Sequence, residues 1–243
     1  MDVSVRARGE LAIQAGAFCG WSGPGLVLNI GTGIAGAVVR RGKVLRHAYG
    51  LGETYGQFGR YLFRDLQTDS WSWRPTRDGS IPPHGNGVIR FTEWCGGPAL
   101  ARRFARLAAD KRLPRIAATA RDQILANLSF RQLQAEETLL RTVSLAATEN
   151  ASSLAGEFIW SVGTEIGRAV RCMTSSVCEP GFQRLVLTGG VGEKFGAAGH
   201  AARDLLLEGI QKELLPGSTV VRSNLGLDAE YIGWAPLSHA MER

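Results

Sequence analysis

Leu26-Val27-Leu28-Asn29-Ile30-Gly31-Thr32-Gly33-Ile34-Ala35-Gly36-Ala37-Val38-Val39 is the stretch that decides how the chain is read. An apolar run enters a turn bracketed by glycines, and a second apolar run leaves it, which predicts a β-hairpin. Gly31 and Gly33 lack a Cβ, so their amides can point into one concavity and approach an anion closely. Thr32 adds a hydroxyl donor. Taken alone, the stretch supports two readings: a hairpin that grips phosphate, or a tight turn that needs glycine.

Working outward, strands are predicted at about 25–31, 34–40 and 43–48, with Arg41-Gly42 as the tight connection between the second and third. Residues 1–20 read as a short helix, with Val5, Leu11, Ile13 and Ala17 as its buried positions. Ala48 to Gly56 is a loop with exposed side chains. Residues 65–92 are expected to be irregular, being rich in Asp, Ser, Pro and Trp, and loops this long are usually functional or mobile. Trp71 and Trp73 either line a ligand site or pin the loop to the body. From residue 98 the period becomes helical, with Pro98 in the first turn of a helix that includes Leu100, Phe104 and Leu107. Further helices are predicted over 118–128, 131–148 and 151–177. The last carries Leu154, Phe158, Val162, Ile166, Ala169, Met173 and Val177 at spacings of three and four, and Ser152 or Ser153 caps its start. Arg184 to Thr188 is a short buried strand running into Gly189-Gly190-Val191-Gly192. A helix over 197–215, a strand over 218–222 and a helix from Asp228 follow. The order is β-β-β-α-β-α-β-α, an α/β arrangement whose natural packing is a mixed sheet flanked by helices. One sheet should hold both 26–30 and 184–188.

The chain has 243 residues, 44% hydrophobic and 21% charged, so it can bury a core and is not a disordered composition. No run of about 18 apolar residues exists, and no membrane span is expected. The N-terminal segment is charged through Glu10 and has no signal-peptide core. Cys19, Cys95, Cys172 and Cys178 form no CxxC pair and read as reduced thiols of a cytoplasmic protein, not as a disulfide frame or a zinc site. The net charge is +6, from 28 basic and 22 acidic residues. The densest basic stretch, Arg102, Arg103, Arg106, Lys111, Arg112, Arg115 and Arg121, reads as a solvated helix face or as a nucleic-acid contact. No nucleic-acid-binding motif accompanies it, which makes nucleic acid an unlikely partner.

The order of elements, with a Gly-Thr-Gly hairpin early and a strand–Gly-Gly turn late, resembles one lobe of the superfamily of sugar kinases, heat-shock chaperones and actin. Its core is a ribonuclease H-like mixed sheet in the actin-like ATPase fold. Within it the chain resembles the ROK family of bacterial sugar kinases and sugar-responsive repressors, over the second half of a family member. Leu28 to Gly36 is similar to the family's GTGxGxG phosphate segment. Gly52-Glu53 resembles its sugar-contacting pair, and Leu185 to Val191 the strand and turn that hold adenosine. Asn224 to Ala235 resembles the closing stretch. Asp2 to Glu10 is similar to the segment that opens N-D and ends G-E, with Met1 where the family has asparagine. Glu93 to Leu100 resembles a segment that carries a second sugar contact.

The resemblance implies phosphoryl transfer from ATP, with magnesium, to the hydroxyl of a hexose or amino sugar. Asp2 would be the carboxylate that takes the hydroxyl proton, and its alternative is an ordinary acidic helix start. Gly31, Thr32 and Gly33 would meet phosphates, and Gly189, Gly190 and Val191 would let the nucleotide lie close to backbone. Glu53 and Glu93 would accept hydrogen bonds from the sugar. The alternative for Glu93 is an ordinary exposed glutamate. A homodimer is implied as well. Two departures stand out. The family's opening D-x-G-G-T hairpin is not in the chain, and neither is its zinc motif: Gly56 stands at the expected histidine, Cys95 stands alone, and His84 with one distant cysteine makes no tetrahedral site. No metal is expected in the protein frame. The chain is thus read as 1–243, a single lobe, with 1–20 as a remnant helix of a first lobe and 49–97 as an irregular insertion. Three functions are compatible with that: a kinase lobe, weakly active or inactive as it stands; a degenerate nucleotide- or sugar-binding protein; or the effector part of a sugar-responsive repressor.

Overall fold

The computed structural model describes residues 3–45, 58–76, 80, 82, 85–109, 132–177, 181–196, 204–226, 228–229 and 231–233. Its centre is a five-stranded mixed sheet. β1 (Gly25–Ile30), β2 (Ile34–Arg40) and β3 (Lys43–Val44) form the expected antiparallel meander, and β7 (Arg184–Thr188) and β8 (Thr219–Arg222) continue it in the order β3-β2-β1-β7-β8. The β2–β3 connection is the two-residue Arg41-Gly42 turn, with φ of 51° and 68° at those residues, the backbone that matches the twist of a hairpin. β1 is antiparallel to β2 and parallel to β7, pairing Gly25 with Arg184 through to Asn29 with Thr188.

Alternation along these strands sorts side chains onto two covered faces. Leu26, Leu28, Ile30, Leu185 and Leu187 join a large core with the helices on one side. Val27, Ala37, Val39 and Val186 pack on the other side with Val3, Ala7 and Phe18. The large core is completed by α4 (Gly97–Ala109), α5 (Gln132–Glu149), α6 (Leu154–Val177) and α8 (Leu205–Glu213). On α6, Phe158, Val162, Ile166, Ala169 and Met173 are buried as their spacing predicts. Ser153 caps that helix, its Oγ accepting the Gly156 N–H at 3.3 Å. α6 and α8 cross at glycines. A Cβ on Gly163 would lie 2.3 Å from the Leu206 carbonyl oxygen, and one on Gly209 would lie 2.3 Å from that of Trp160.

Two elements differ from the sequence reading. α1 covers Val3–Ala12 only. The Glu10 carbonyl accepts the Phe18 N–H at 3.0 Å and its carboxylate accepts the Ala17 N–H at 2.7 Å. These bonds fold 13–20 into turns, so Val5 is buried while Leu11, Ile13 and Ala17 are half-buried. Residues 65–92 are not all irregular. After α2 (Phe58–Tyr61), β4 (Leu62–Asp65), β5 (Ser70–Trp73) and β6 (Val88–Arg90) form a small antiparallel sheet in the order β5-β4-β6. Trp71 and Trp73 pin it. Trp71 meets Phe91 edge-on at 5.3 Å, and Trp73 meets Phe58 and Tyr61 at 5.7 and 6.2 Å. Arg64 of β4 adds a buried ion pair to Glu165 of α6 at 3.0 Å. Among the described residues no helix is long and apolar enough to cross a membrane. The helix expected at 118–128 and the start of the one expected at 197 lie outside the described residues.

Candidate functional site

Because β1 and β7 are parallel neighbours in register, the chain leaves both at the same sheet edge. The Gly31-Thr32-Gly33 turn follows β1, and Gly189 opens α7 (Gly189–Lys194) directly after β7. The two glycine turns therefore flank one edge, as the sequence order predicts.

The glycines fall into two groups. Gly189 is required by the backbone. Its φ is +84°, and a Cβ there would stand 2.6 Å from Asn29 Oδ1 and 2.7 Å from the Ile30 carbonyl oxygen. Gly31, Gly33 and Gly190 are different. None lies in the left-handed region. Among the described residues, a Cβ on Gly31 or Gly190 would meet nothing within 4 Å, and one on Gly33 would meet Thr92 Cγ2 alone, at 4.0 Å. Glycine costs about 0.5–1 kcal/mol in backbone entropy relative to alanine. These three glycines at one edge are demanded by no positive φ and by no packing among the described residues. The reading of this hairpin as a turn that needs glycine is not supported by its geometry.

The amides are not equivalent either. The Gly31 N–H donates to the Gly33 carbonyl at 2.9 Å, and the Gly31 carbonyl accepts the Gly97 N–H at 2.8 Å. Gly31 thus holds the turn together, and Thr32 and Gly33 are the exposed members. At the second turn Gly190 is exposed and Val191 is buried.

A third segment meets both turns; within Glu93 to Leu100 the sequence reading assigned a part to Glu93 and none to Gly96 or Gly97. A Cβ on Gly97, the first residue of α4, would lie 3.3 Å from the Gly31 carbonyl oxygen and 3.5 Å from Val191 Cγ2. One on Gly96 would lie 2.9 Å from the Thr32 carbonyl oxygen. The doubled glycine between two helical segments was the available signal. Its contacts are tertiary, and spacing alone could not assign them.

Glu93 sits in α3 (Phe91–Cys95), one residue after Thr92, whose Cγ2 would lie 4.0 Å from a Cβ on Gly33. Its carboxylate accepts the Arg90 N–H at 3.2 Å and lies 3.7 Å from the Arg90 guanidinium, a helix-start arrangement. The helix is anchored next door. The Trp94 ring lies between the guanidinium groups of Arg64 at 4.4 Å and Arg103 at 3.9 Å, and Arg103 Nη1 donates to the Trp94 carbonyl at 3.0 Å. Arg103 is therefore turned inward, while its neighbours Arg102 and Arg106 are exposed on α4. Asp2, Glu53, Gly56 and His84 lie outside the described residues.

Cys95 is fully buried, and its thiol is pushed up to about 12, chiefly by that burial. It is a neutral thiol at physiological pH. Cys19 and Cys172 are free thiols as well. Among the described residues no three His, Cys, Asp or Glu side chains group as a metal site.

No protein-family model and no curated protein matches the chain. Solved structures do. A ROK family glucokinase from Streptomyces griseus, in complex with glucose and AMPPNP, superposes with a TM-score of 0.60 at 20% identity, over 97% of this chain and 66% of that one. The ROK hexokinase from Thermus thermophilus gives 0.57 at 20% identity, over 100% and 66%. A ROK family transcriptional regulator, a homolog of the E. coli MLC protein, gives 0.59 at 15% identity, over 98% and 50%. The chain thus has the mixed-sheet, actin-like ATPase fold of the ROK sugar kinases and regulators, and spans between half and two-thirds of their length.

Proposed function

We propose that the chain is a nucleotide- and sugar-binding lobe of a ROK-type sugar kinase. The observation that carries this is the set of Gly31, Gly33 and Gly190 at one sheet edge, where no positive φ and no neighbour among the described residues requires glycine. The likeness in fold to a glucokinase that holds glucose and a nucleotide analogue supports it.

The adenosine lies against Gly190 and Val191, and the phosphates extend toward Thr32 and Gly33. The Thr32 hydroxyl and the exposed Gly33 backbone offer donors to phosphate oxygens, preorganised by the Gly31 bonds that close the turn. Gly97, touching both turns, keeps them at a fixed separation. ATP supplies the phosphoryl group and magnesium offsets the charge of its oxygens. Glu93 and Glu53 accept hydrogen bonds from a hexose or an amino sugar, and Asp2 takes the proton of the attacking hydroxyl. For Glu93 this requires its carboxylate to turn away from the start of α3. A second reading, an effector lobe of a sugar-responsive regulator, is supported by the equally close fold of the MLC homolog. In that case the lobe binds sugar without needing ATP.

Titrating ATP against the wild type and against Gly190→Arg tests the first reading. The arginine has room, because a Cβ at Gly190 meets nothing within 4 Å among the described residues, and its side chain fills the adenosine space. Binding by the wild type that weakens at least about tenfold in the variant is expected, since the variant loses the close backbone approach. Equal binding by both, or none by either with the fold intact, refutes it. Sugar binding without any ATP binding would favour the regulator.

A further inference from the structure

Arg6 lies on the inner side of α1 and is 2% exposed. Its helical neighbours Val3 and Ala7 pack on Val27, Ala37, Val39 and Val186. A guanidinium in such a place gives up its hydration, and strong pairing must offset the loss. Arg6 Nη1 donates to Thr188 Oγ1 at 2.5 Å and to Glu193 Oε1 at 3.1 Å. The Thr188 hydroxyl donates to the same Glu193 oxygen at 2.7 Å. That oxygen also accepts the Gly189 N–H at 2.9 Å. One carboxylate oxygen therefore joins three elements: α1, the last residue of β7, and the first amide of the glycine turn.

Gly189 has little freedom of its own, because its left-handed backbone is wedged against Asn29 and Ile30. A motion that turned its amide away from Glu193 would disturb the oxygen on which Arg6 and Thr188 also converge. A buried guanidinium that loses an acceptor is penalised by its desolvation, so α1 would shift with the turn. The far end of α1 is held separately. Glu10 accepts the Ser223 hydroxyl and the Ala17 N–H. Gly9 sits against the Ala229 carbonyl, whose oxygen would be 1.9 Å from a Cβ at Gly9. α1 is thus held at its C-terminal half and tied to the glycine turn through Arg6.

We propose that Arg6 is a positioning residue: through Glu193 it makes the docking of α1 and the geometry of the Gly189–Val191 turn one equilibrium. A nucleotide seated on the turn then sets the helix that begins immediately after Asp2. This last consequence rests on the nucleotide reading above. The tie itself rests on the Arg6–Thr188–Glu193–Gly189 bonds alone, a physical link with both ends identified.

Amide hydrogen exchange on the 243-residue chain, resolved by segment with mass spectrometry, tests the two parts separately. The first arm uses no nucleotide and compares the wild type with Arg6→Gln and Glu193→Gln. Losing the charge-assisted bond in Arg6→Gln should speed exchange about tenfold or more in both 3–12 and 189–194, and weakening it in Glu193→Gln, whose neutral amide oxygen still accepts, should speed both by a smaller factor. Arg6→Lys, which keeps the charge but not the planar fork, should recover part of the protection. Faster exchange in 3–12 with wild-type exchange in 189–194 overturns the tie, as does no change in either segment. If Arg6→Gln fails to fold, Glu193→Gln decides, because its amide oxygen still accepts from Gly189 and Thr188. The second arm adds millimolar ATP. Slowed exchange in both segments of the wild type, but only in 189–194 of Glu193→Gln, supports the coupling. Slowing in 3–12 that survives Glu193→Gln overturns it. No slowing at 189–194 in the wild type overturns the nucleotide reading and leaves the result of the first arm standing.

Discussion

Gly209→Ala places one methyl group where α6 and α8 cross. Its Cβ would stand 2.3 Å from the Trp160 carbonyl oxygen, 2.9 Å from the Thr164 nitrogen and 3.1 Å from the Gly163 Cα. All three are backbone atoms, so no side chain can swing aside. Optimal contact between heavy atoms lies near 3.5 Å, so the helices must part by roughly 1 Å. The gap opens beside Ile159, Val162, Ile166, Leu206 and Ile210, all fully buried. A separation of that size forfeits about a quarter to a half of the dispersion well between facing atoms. Overpacking of this kind costs about 1–3 kcal/mol, and an unyielding backbone places it at the upper end. The better helix propensity of alanine returns about 1 kcal/mol. The net expectation is a loss of about 2 kcal/mol and a melting midpoint lower by about 4–8 °C for a chain of this size. Thermal unfolding followed by circular dichroism measures it, with Gly190→Ala as the control, expected within about 0.5 kcal/mol of the wild type. A Gly209→Ala protein that melts at or above the wild-type midpoint refutes the close crossing.

The site offers a complementary test: Gly31→Ala and Gly33→Ala should leave the midpoint within about 0.5 kcal/mol of the wild type yet weaken ATP binding, because a Cβ there meets the ligand and not the fold. Gly189→Ala should destabilise outright by at least about 1 kcal/mol, through its positive φ and its contact with Asn29. Unfolding titrations and ATP titrations on the three variants check the contrast. Cys95 ionises near 9 when unfolded but is held up to about 12 in the fold, so its contribution to stability is full below about pH 9 and is lost as pH rises toward 12. Between about pH 8 and 10 the stability of Cys95→Ala should therefore fall less steeply than that of the wild type, and parallel slopes in urea denaturation would count against the buried thiol.

The main sheet was legible because its signals are local. β1, β2 and β7 are apolar runs closed by glycine turns, and the structure places β7 at the residues the run marks out, 184–188. The small sheet was not legible. Its strands are three or four residues long, too short for alternation to register, and the β4–β5 turn carries its positive φ, 52°, at Asp69 and not at a glycine. Its stability comes from Trp71, Trp73 and the Arg64–Glu165 pair, which join residues distant in sequence. The candidate site divides the same way. Both glycine turns could be read from the chain, and so could their shared edge once β1 and β7 were assigned to one sheet. The commitment of the Gly31 amide to its own turn could not, because it depends on backbone direction. Arg6 carries no sequence signal at all: on a helical wheel it is one more surface arginine, and its burial depends on a carboxylate 187 residues away.

β1 has both faces covered in the folded chain, yet its two neighbours reach it at very different times. β2 follows across a three-residue turn, Gly31 to Gly33, while β7 begins 154 residues after β1 ends. At a synthesis rate of about 5–20 residues per second, roughly 8–30 seconds separate the emergence of the hairpin from that of its parallel partner. Through that interval Leu26, Val27 and Leu28 form an open apolar edge, the kind of edge that recruits strands from other chains. Pairings this remote also slow folding, because loop closure must precede any reward from contact. The glycine edge is therefore assembled late: its two turns become neighbours only when β7 docks. A growing chain would carry the Gly31–Gly33 hairpin without the Gly189 turn beside it, with the β1 edge open until β7 arrives.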